Sequence, residues 1–156
     1  ETDVSRKLWT PMHAEESALW SLDRKDGMEK AYCCFNSNAR DFARFGQLLL
    51  NNGQWDGQQL ISPAYLAEAT SPDTRLVYKD LGKPNHCYGF QYWILDYKGM
   101  KIPYMRGILG QYVFTLPEKN AVIVRLGHKR SDTYTADQHY PDDINTWLDA
   151  AMDLLQ

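Results

Sequence analysis

The chain has 156 residues, enough for one domain with a sizeable core. Hydrophobic residues make up 44% and charged residues 24%, as in an ordinary globular domain. The net charge of −3 gives no reason to expect nucleic acid or an anionic membrane as partner. No apolar run approaches the ~20 residues that span a bilayer. The opening Glu1–Lys7 stretch has no signal-peptide core, although a leader on a longer precursor stays open. Aromatics reach 13%, with ten Tyr and five Trp, which suits large buried or groove-lining surface. Of three cysteines, adjacent Cys33 and Cys34 are not expected to pair with each other, because the bond strains the peptide between them. A bridge from either to Cys87 is conceivable, but small buried thiols are the expectation.

In chain order, Leu8-Trp9-Thr10-Pro11-Met12 reads as a helix end running into a loop, since Pro stops helical continuation. Residues 13–35 show neither helical nor strand period and read as a long surface loop, with Ala31 to Phe35 tucked inward. Residues 38–52 are the clearest helix. Asn38 is a good N-cap with Asp41 three residues on, and Phe42, Phe45, Gly46, Leu49 and Leu50 share one face. Asn52-Gly53 ends it, Trp55-Asp56-Gly57 turns, and Ser62-Pro63 caps a second helix to about Ala69. Residues 73–87 read as loop.

Four strand candidates follow. Tyr88–Leu95 is aromatic-rich, and Met100–Met105 follows a turn at Asp96–Gly99. Gln111–Leu116 and Ala121–Leu126 bracket Pro117–Asn120, and the last run is apolar enough to expect cover on both faces. Residues 128–140 are polar. Pro141-Asp142-Asp143 opens a final helix with a stripe of Ile144, Trp147, Leu148, Ala151, Leu154 and Leu155. The sum is α+β, an antiparallel β meander preceded by two helices and covered by a C-terminal helix.

The stretch Asn36-Ser37-Asn38-Ala39-Arg40-Asp41-Phe42 through Asn52-Gly53, the following Gln58–Pro63, Tyr88-Gly89-Phe90-Gln91-Tyr92-Trp93, and Gly110-Gln111-Tyr112 on to Val124 together resemble class C β-lactamase-like serine hydrolases. That family includes penicillin-binding proteins, esterases, D-amino-acid peptidases and hydrolases of short nylon oligomers. Gly107-Ile108-Leu109-Gly110-Gln111 looks nearest to the last type. The resemblance covers about residues 8–128 and implies a partial β-lactamase/transpeptidase-like fold. It divides the chain into a loop-rich stretch at 1–35, a helical part at 36–72, a sheet at 86–127 and a helix at 141–156.

Family members attack an amide or ester with a Ser whose Lys partner lies one helical turn on, and a Tyr assists proton transfer. Neither Ser-x-x-Lys nor Tyr-x-Asn occurs in this chain. The resemblance therefore implies the C-terminal part of a hydrolase whose nucleophile lies in a missing N-terminal half, with the isolated chain inactive. A catalytically silent binding or structural module on the same fold is the alternative. The family's Lys/His-Thr/Ser-Gly strand motif aligns with Met105-Arg106-Gly107, where only Gly is kept. That loss disfavours carboxylate-bearing β-lactams and is compatible with esters or amides.

The resemblance places an oxyanion N–H at Ile108, with Gly107 allowing close backbone approach. A plain bulge or turn with two Gly is the competing reading. Arg106 is a candidate for a substrate carboxylate, or a solvated strand-end Arg. Gln111 is a candidate for orienting groups near the oxyanion, or a cross-strand polar pair. Asn36 is a candidate cleft residue, or a turn residue. Tyr104 and Tyr112 line the pocket or pack the sheet, with packing preferred. His13, His86, His128 and His139 lack zinc-type spacing, so no metal and no cofactor is expected. The expected partners are a small-molecule amide or ester substrate, the missing N-terminal half, and a second copy of the chain in a homo-oligomer. The resemblance implies a periplasmic or exported protein.

Overall fold

The computed structural model describes residues 3–79, 82–135 and 139–155. A π-helical turn, Ser5–Trp9, leads into a two-stranded ribbon of β1 (Leu19–Trp20) and β2 (Phe35–Asn36). Then come α1 (Ala39–Leu50), the hairpin β3 (Gln54–Trp55) with β4 (Gln58–Gln59), and α2 (Pro63–Ala69). A second small hairpin, β5 (Val77–Tyr78) with β6 (Lys83–Pro84), lies in the stretch expected to be loop; the same stretch holds residues 80–81, outside the described residues. The main sheet is β7 (Trp93–Tyr97), β8 (Met100–Gly107), β9 (Gln111–Leu116) and β10 (Ala121–Arg125), in the antiparallel order β10-β9-β8-β7. α3 (Asp143–Leu154) closes the chain. The α+β class with a meander and a C-terminal helix is what the sequence predicts.

Strand alternation gives the sheet two faces. Leu95, Tyr97, Ile102, Tyr104, Tyr112, Phe114 and Leu116 lie on one, and they form the core with Ile144 and Leu148 of α3 and with Tyr140. Register puts Tyr104 between Trp93 and Phe114, and the Tyr104 and Phe114 rings stack across β8 and β9. Burying each such ring contributes about 1.5–3 kcal/mol. The opposite face carries Val113 and Val122, against which α1 packs. A Cβ on Gly46 would sit 2.4 Å from Val122 Cγ1, so the absent side chain sets the helix-to-sheet distance.

Several expectations are corrected. The strand expected from Tyr88 starts at Trp93, because the backbone turns at Gln91 (φ 62) and Tyr88 only bridges Trp93. β8 runs two residues beyond Met105, to Gly107. β10 has both faces packed as expected, Val122 against α1 and Ala121 and Ile123 against the core under α3, but it is the sheet edge, and all five of its residues are only half-buried. Residue 48, not 49 or 50, is the fully buried leucine of α1. Of the expected α3 stripe, Trp147, Leu154 and Leu155, the last at the C-cap, are exposed. In residues 31–35 only Phe35 turns inward to the rings of Trp9, Trp20, Phe42 and Phe45, while Tyr32 is 76% exposed. Cys33 and Cys34 are joined to each other, and Cys87 is a free, buried thiol. A turn closed by Cys33 N–H to the Lys30 carbonyl, with Cys34 at φ 74, places the two adjacent side chains together. Of the polar run 128–140, residues 136–138 lie outside the described residues.

The cap at α1 also differs from the expected box. Asn38 does accept the Asp41 N–H (2.9 Å). The Asp41 carboxylate, instead of reaching back to the cap backbone, takes the Glu15 and Glu16 N–H groups (2.8 and 3.1 Å) and the Arg44 guanidinium (3.0 Å). Burial pushes the Asp41 carboxyl up. The Glu15 and Glu16 amides, the Asn38 amide and Arg44 more than offset that, so its pKa lies below the usual 3.8.

Candidate active-site wall

β8 and β9 are joined by the 3₁₀ turn Ile108–Gly110. Gly107 is extended (φ −102, ψ 175), Leu109 is left-handed (φ 58), and Gly110 follows at φ 83. Two consecutive left-handed residues, one of them a leucine, cost of order 1–2 kcal/mol for the non-glycine alone. Contacts from across the sheet hold this geometry. Arg125, at the end of β10, donates from Nη1 to the Gly110 carbonyl (2.6 Å) and from Nη2 to the Lys129 carbonyl (2.8 Å). Its guanidinium lies over the rings of Trp147 (4.9 Å) and Tyr112 (5.6 Å). A Cβ on Gly110 would fall 1.7 Å from Arg125 Nη1. The Gln111 side chain donates to the Gly127 carbonyl and accepts the Gly127 N–H (3.1 Å), which mimics one more rung of the β9–β10 ladder.

The turn presents Ile108 to solvent: its side chain is 80% exposed and Leu109 is 50% exposed, while Gly110 is buried. Ile108 N–H is the first donor of a helical turn, a position without a partner inside the turn. Among the described residues it makes no backbone hydrogen bond to the loops. Such an N–H at the tip of a braced turn can bind an anion or a developing oxyanion.

The structure gathers Arg106, Gly107, Ile108 and Gln111 at one end of the sheet, with Gly107 opposite Gln111 in register. Asn36 lies instead in the β1–β2 ribbon, paired with Leu19, and its side chain donates to the Cys34 carbonyl (3.1 Å). Beside Gly107, a Cβ would be 3.0 Å from Gln111 Cβ, so the missing side chain makes room for Gln111. Arg106 stacks 3.4 Å over the Trp93 ring and donates to the His139 carbonyl (2.8 Å) and the Tyr104 hydroxyl (3.4 Å). Its charge is thus tied into the face covered by α3. Tyr104 and Tyr112 are both 1% exposed and belong to the core. Burial raises both phenols, Tyr112 to about 12, and the Tyr112 hydroxyl has no hydrogen-bond partner.

Sequence reasoning passed over Arg125 and Leu109. A signal for the first was present: Arg125 interrupts an otherwise apolar strand on the inward face of Ile123, where a charge needs a partner. Two shallow depressions, of about 280 and 300 Å³, lie elsewhere: by Trp9, Trp20 and Phe35, and between α1 and β10 at Gln47 and Val122. Neither includes residues 106–111. No group of three or more His, Cys, Asp or Glu suited to a metal occurs among the described residues.

The fold is that of a partial β-lactamase-like domain. No protein-family model matches the chain. It is 27% identical over 127 residues to the 6-aminohexanoate-dimer hydrolase of Paenarthrobacter ureafaciens, a match covering 79% of this chain and 32% of that protein. A solved structure from Bacillus anthracis, provisionally named a 6-aminohexanoate-dimer hydrolase, superposes with a TM-score of 0.71 at 26% identity. The superposition covers 98% of this chain and 37% of that one. The chain therefore spans about a third of the length of the relatives it matches. These matches show weak similarity to proteins named 6-aminohexanoate-dimer hydrolases.

Proposed function

We propose that this chain forms one wall of a serine-hydrolase active site that cleaves amide or ester bonds through an acyl-enzyme. Its chemical contribution is the Ile108 backbone N–H, one of two donors to the oxyanion of the tetrahedral intermediate. Loss of one such donor typically costs about 10²–10³ in rate. The single observation that carries the reading is the braced turn. A leucine is held left-handed and a guanidinium is spent on the Gly110 carbonyl, all to fix the position of one exposed N–H. Weak homology to 6-aminohexanoate-dimer hydrolases supports the amide as the bond type.

In this reading the nucleophilic Ser, its Lys and the assisting Tyr come from polypeptide outside residues 1–156, since the chain has neither Ser-x-x-Lys nor Tyr-x-Asn. The role of Arg106 shifts with its surroundings. Stacked on Trp93 and bonded to His139, it shapes the rim beside Gly107 and leaves its outer guanidinium edge for a substrate carboxylate. Gln111 fixes the turn through Gly127, and Asn36 belongs to a more distant part of the cleft. The absence of both nucleophile motifs also favours a second reading, a silent binding module on the same fold. Assay of pure 1–156 chain with a chromogenic ester tests the division of labour. No turnover is expected, and turnover abolished by a substitution within these residues would overturn it.

A further inference from the structure

The Cys33–Cys34 bridge joins neighbours in sequence, so it closes a ring of two residues and removes almost no freedom from the unfolded chain. A bridge of that kind acts locally. Cys34 is exposed and held at φ 74, where an L-residue does not settle unaided. The two carbonyls beside the bridge are structural acceptors. That of Cys33 takes the Trp20 indole N–H (3.0 Å), and that of Cys34 takes the Ser21 N–H (3.0 Å) and the Asn36 amide (3.1 Å). Trp20 and the adjoining Phe35 line the depression of about 280 Å³ at the N-terminal end of the molecule.

We propose that Cys33–Cys34 is a thiol–disulfide exchange site whose redox state sets the conformation of the β1–β2 ribbon and of this depression. The reactant is a small thiol or dithiol. Its thiolate attacks the exposed Cys34 Sγ, the Cys33–Cys34 bond breaks, and Cys33 leaves as thiolate. A second thiolate attacks the outer sulfur of the mixed disulfide and releases the oxidised reductant. Two electrons enter the protein, and the two protons given up by the reductant end on Cys33 and Cys34. Once the ring is open, only the hydrogen bonds on the Cys34 carbonyl and the β1–β2 pairing oppose the return of Cys34 from the left-handed region. Its carbonyl swings away from Ser21 and Asn36, and the Trp20 indole loses the Cys33 carbonyl and keeps only its second acceptor, the Lys30 carbonyl (3.0 Å). Buried Cys87 takes no part, since burial raises its thiol and shields it.

The test is dithiothreitol treatment of the whole chain, followed by alkylation under native conditions and by amide and indole NMR, with oxidised glutathione added for reversal. Without reductant, Cys33 and Cys34 should resist alkylation. With it, both should react while Cys87 stays protected, and the Trp20 indole, Ser21 and Asn36 signals should move while those of β7–β10 stay in place. Reoxidation should restore the first spectrum. In parallel, Cys33→Ser should show the reduced spectrum with or without dithiothreitol. Free thiols at Cys33 and Cys34 before reduction would overturn the proposal. So would full reduction that leaves Trp20, Ser21 and Asn36 unchanged, a result that does not depend on the variant folding.

Discussion

Strand β9 has a three-residue 3₁₀ turn at each end, and the two are built differently. Pro117–Lys119 is exposed and closes on itself, with left-handed Asn120 (φ 47) donating back to the Pro117 carbonyl. Ile108–Gly110 also contains a left-handed residue, but it depends on the Gln111 and Arg125 side chains and on the backbone of Gly127 and Lys129 after β10. A turn that only reverses the chain uses Pro and Asn, whose local preferences suffice. A turn held by tertiary contacts at a local cost is what a positioned backbone donor requires. Under the proposed function, the difference sets 107–111 as the working turn and 117–120 as a connection.

Substitutions should separate the two turns by size of effect. Gly110→Ala forces a Cβ into Arg125 at a positive φ, and we expect a loss of about 2–4 kcal/mol in urea unfolding. A change under ~0.5 kcal/mol would mean that the turn is free to move. Arg125→Met keeps the stem but leaves the Gly110 carbonyl without its charged donor, at a cost of about 1–3 kcal/mol. Amide exchange at Ile108–Gln111 should speed up while Pro117–Asn120 stays unchanged; equal acceleration at both turns would erase the distinction. Tyr112→Phe removes a buried hydroxyl that has no partner, so stability should hold or rise by up to about 1 kcal/mol. A marked loss would show that the hydroxyl is used. Asn120→Gly should change stability by only a few tenths of a kcal/mol.

Acid should act elsewhere. The folded-state pKa of Asp41 is depressed, so the stability it contributes is present above about 3.8 and is lost as pH falls through that value toward the folded pKa. Asp149, lowered by Lys98 and Tyr97, behaves with the same sign where α3 meets β7. Melting curves recorded downward from pH 5 should lose protection first around Glu15 and Glu16, and Asp41→Asn should flatten that acid limb.

The parts of this fold that rest on local chemistry are legible in the sequence. The α1 helix follows from its cap at Asn38 and its apolar spacing, and the meander follows from four apolar runs with turn residues between them. What escaped depends on partners remote in the chain. The carboxylate of Asp41 reads as a capping residue, yet it pins Glu15 and Glu16. The run Ala121–Leu126 reads correctly as covered on both faces, but composition does not reveal that β10 is the edge. Cys33 and Cys34 pair because of a turn conformation that no periodicity encodes. At the candidate site, Gly107 and Ile108 were found through resemblance, whereas the Arg125 brace needed the packed sheet to be seen.

Ile108→Pro tests the central claim most directly, because it deletes one N–H and little else. Gly107 already has the extended backbone that precedes proline, and Ile108 has helical dihedrals at the first position of its turn. In a catalytically competent protein that contains this chain, kcat for an amide or ester should fall by about 10²–10³ with the melting temperature nearly unchanged. A folded Ile108→Pro protein with undiminished kcat would contradict the assignment of Ile108 N–H to the oxyanion.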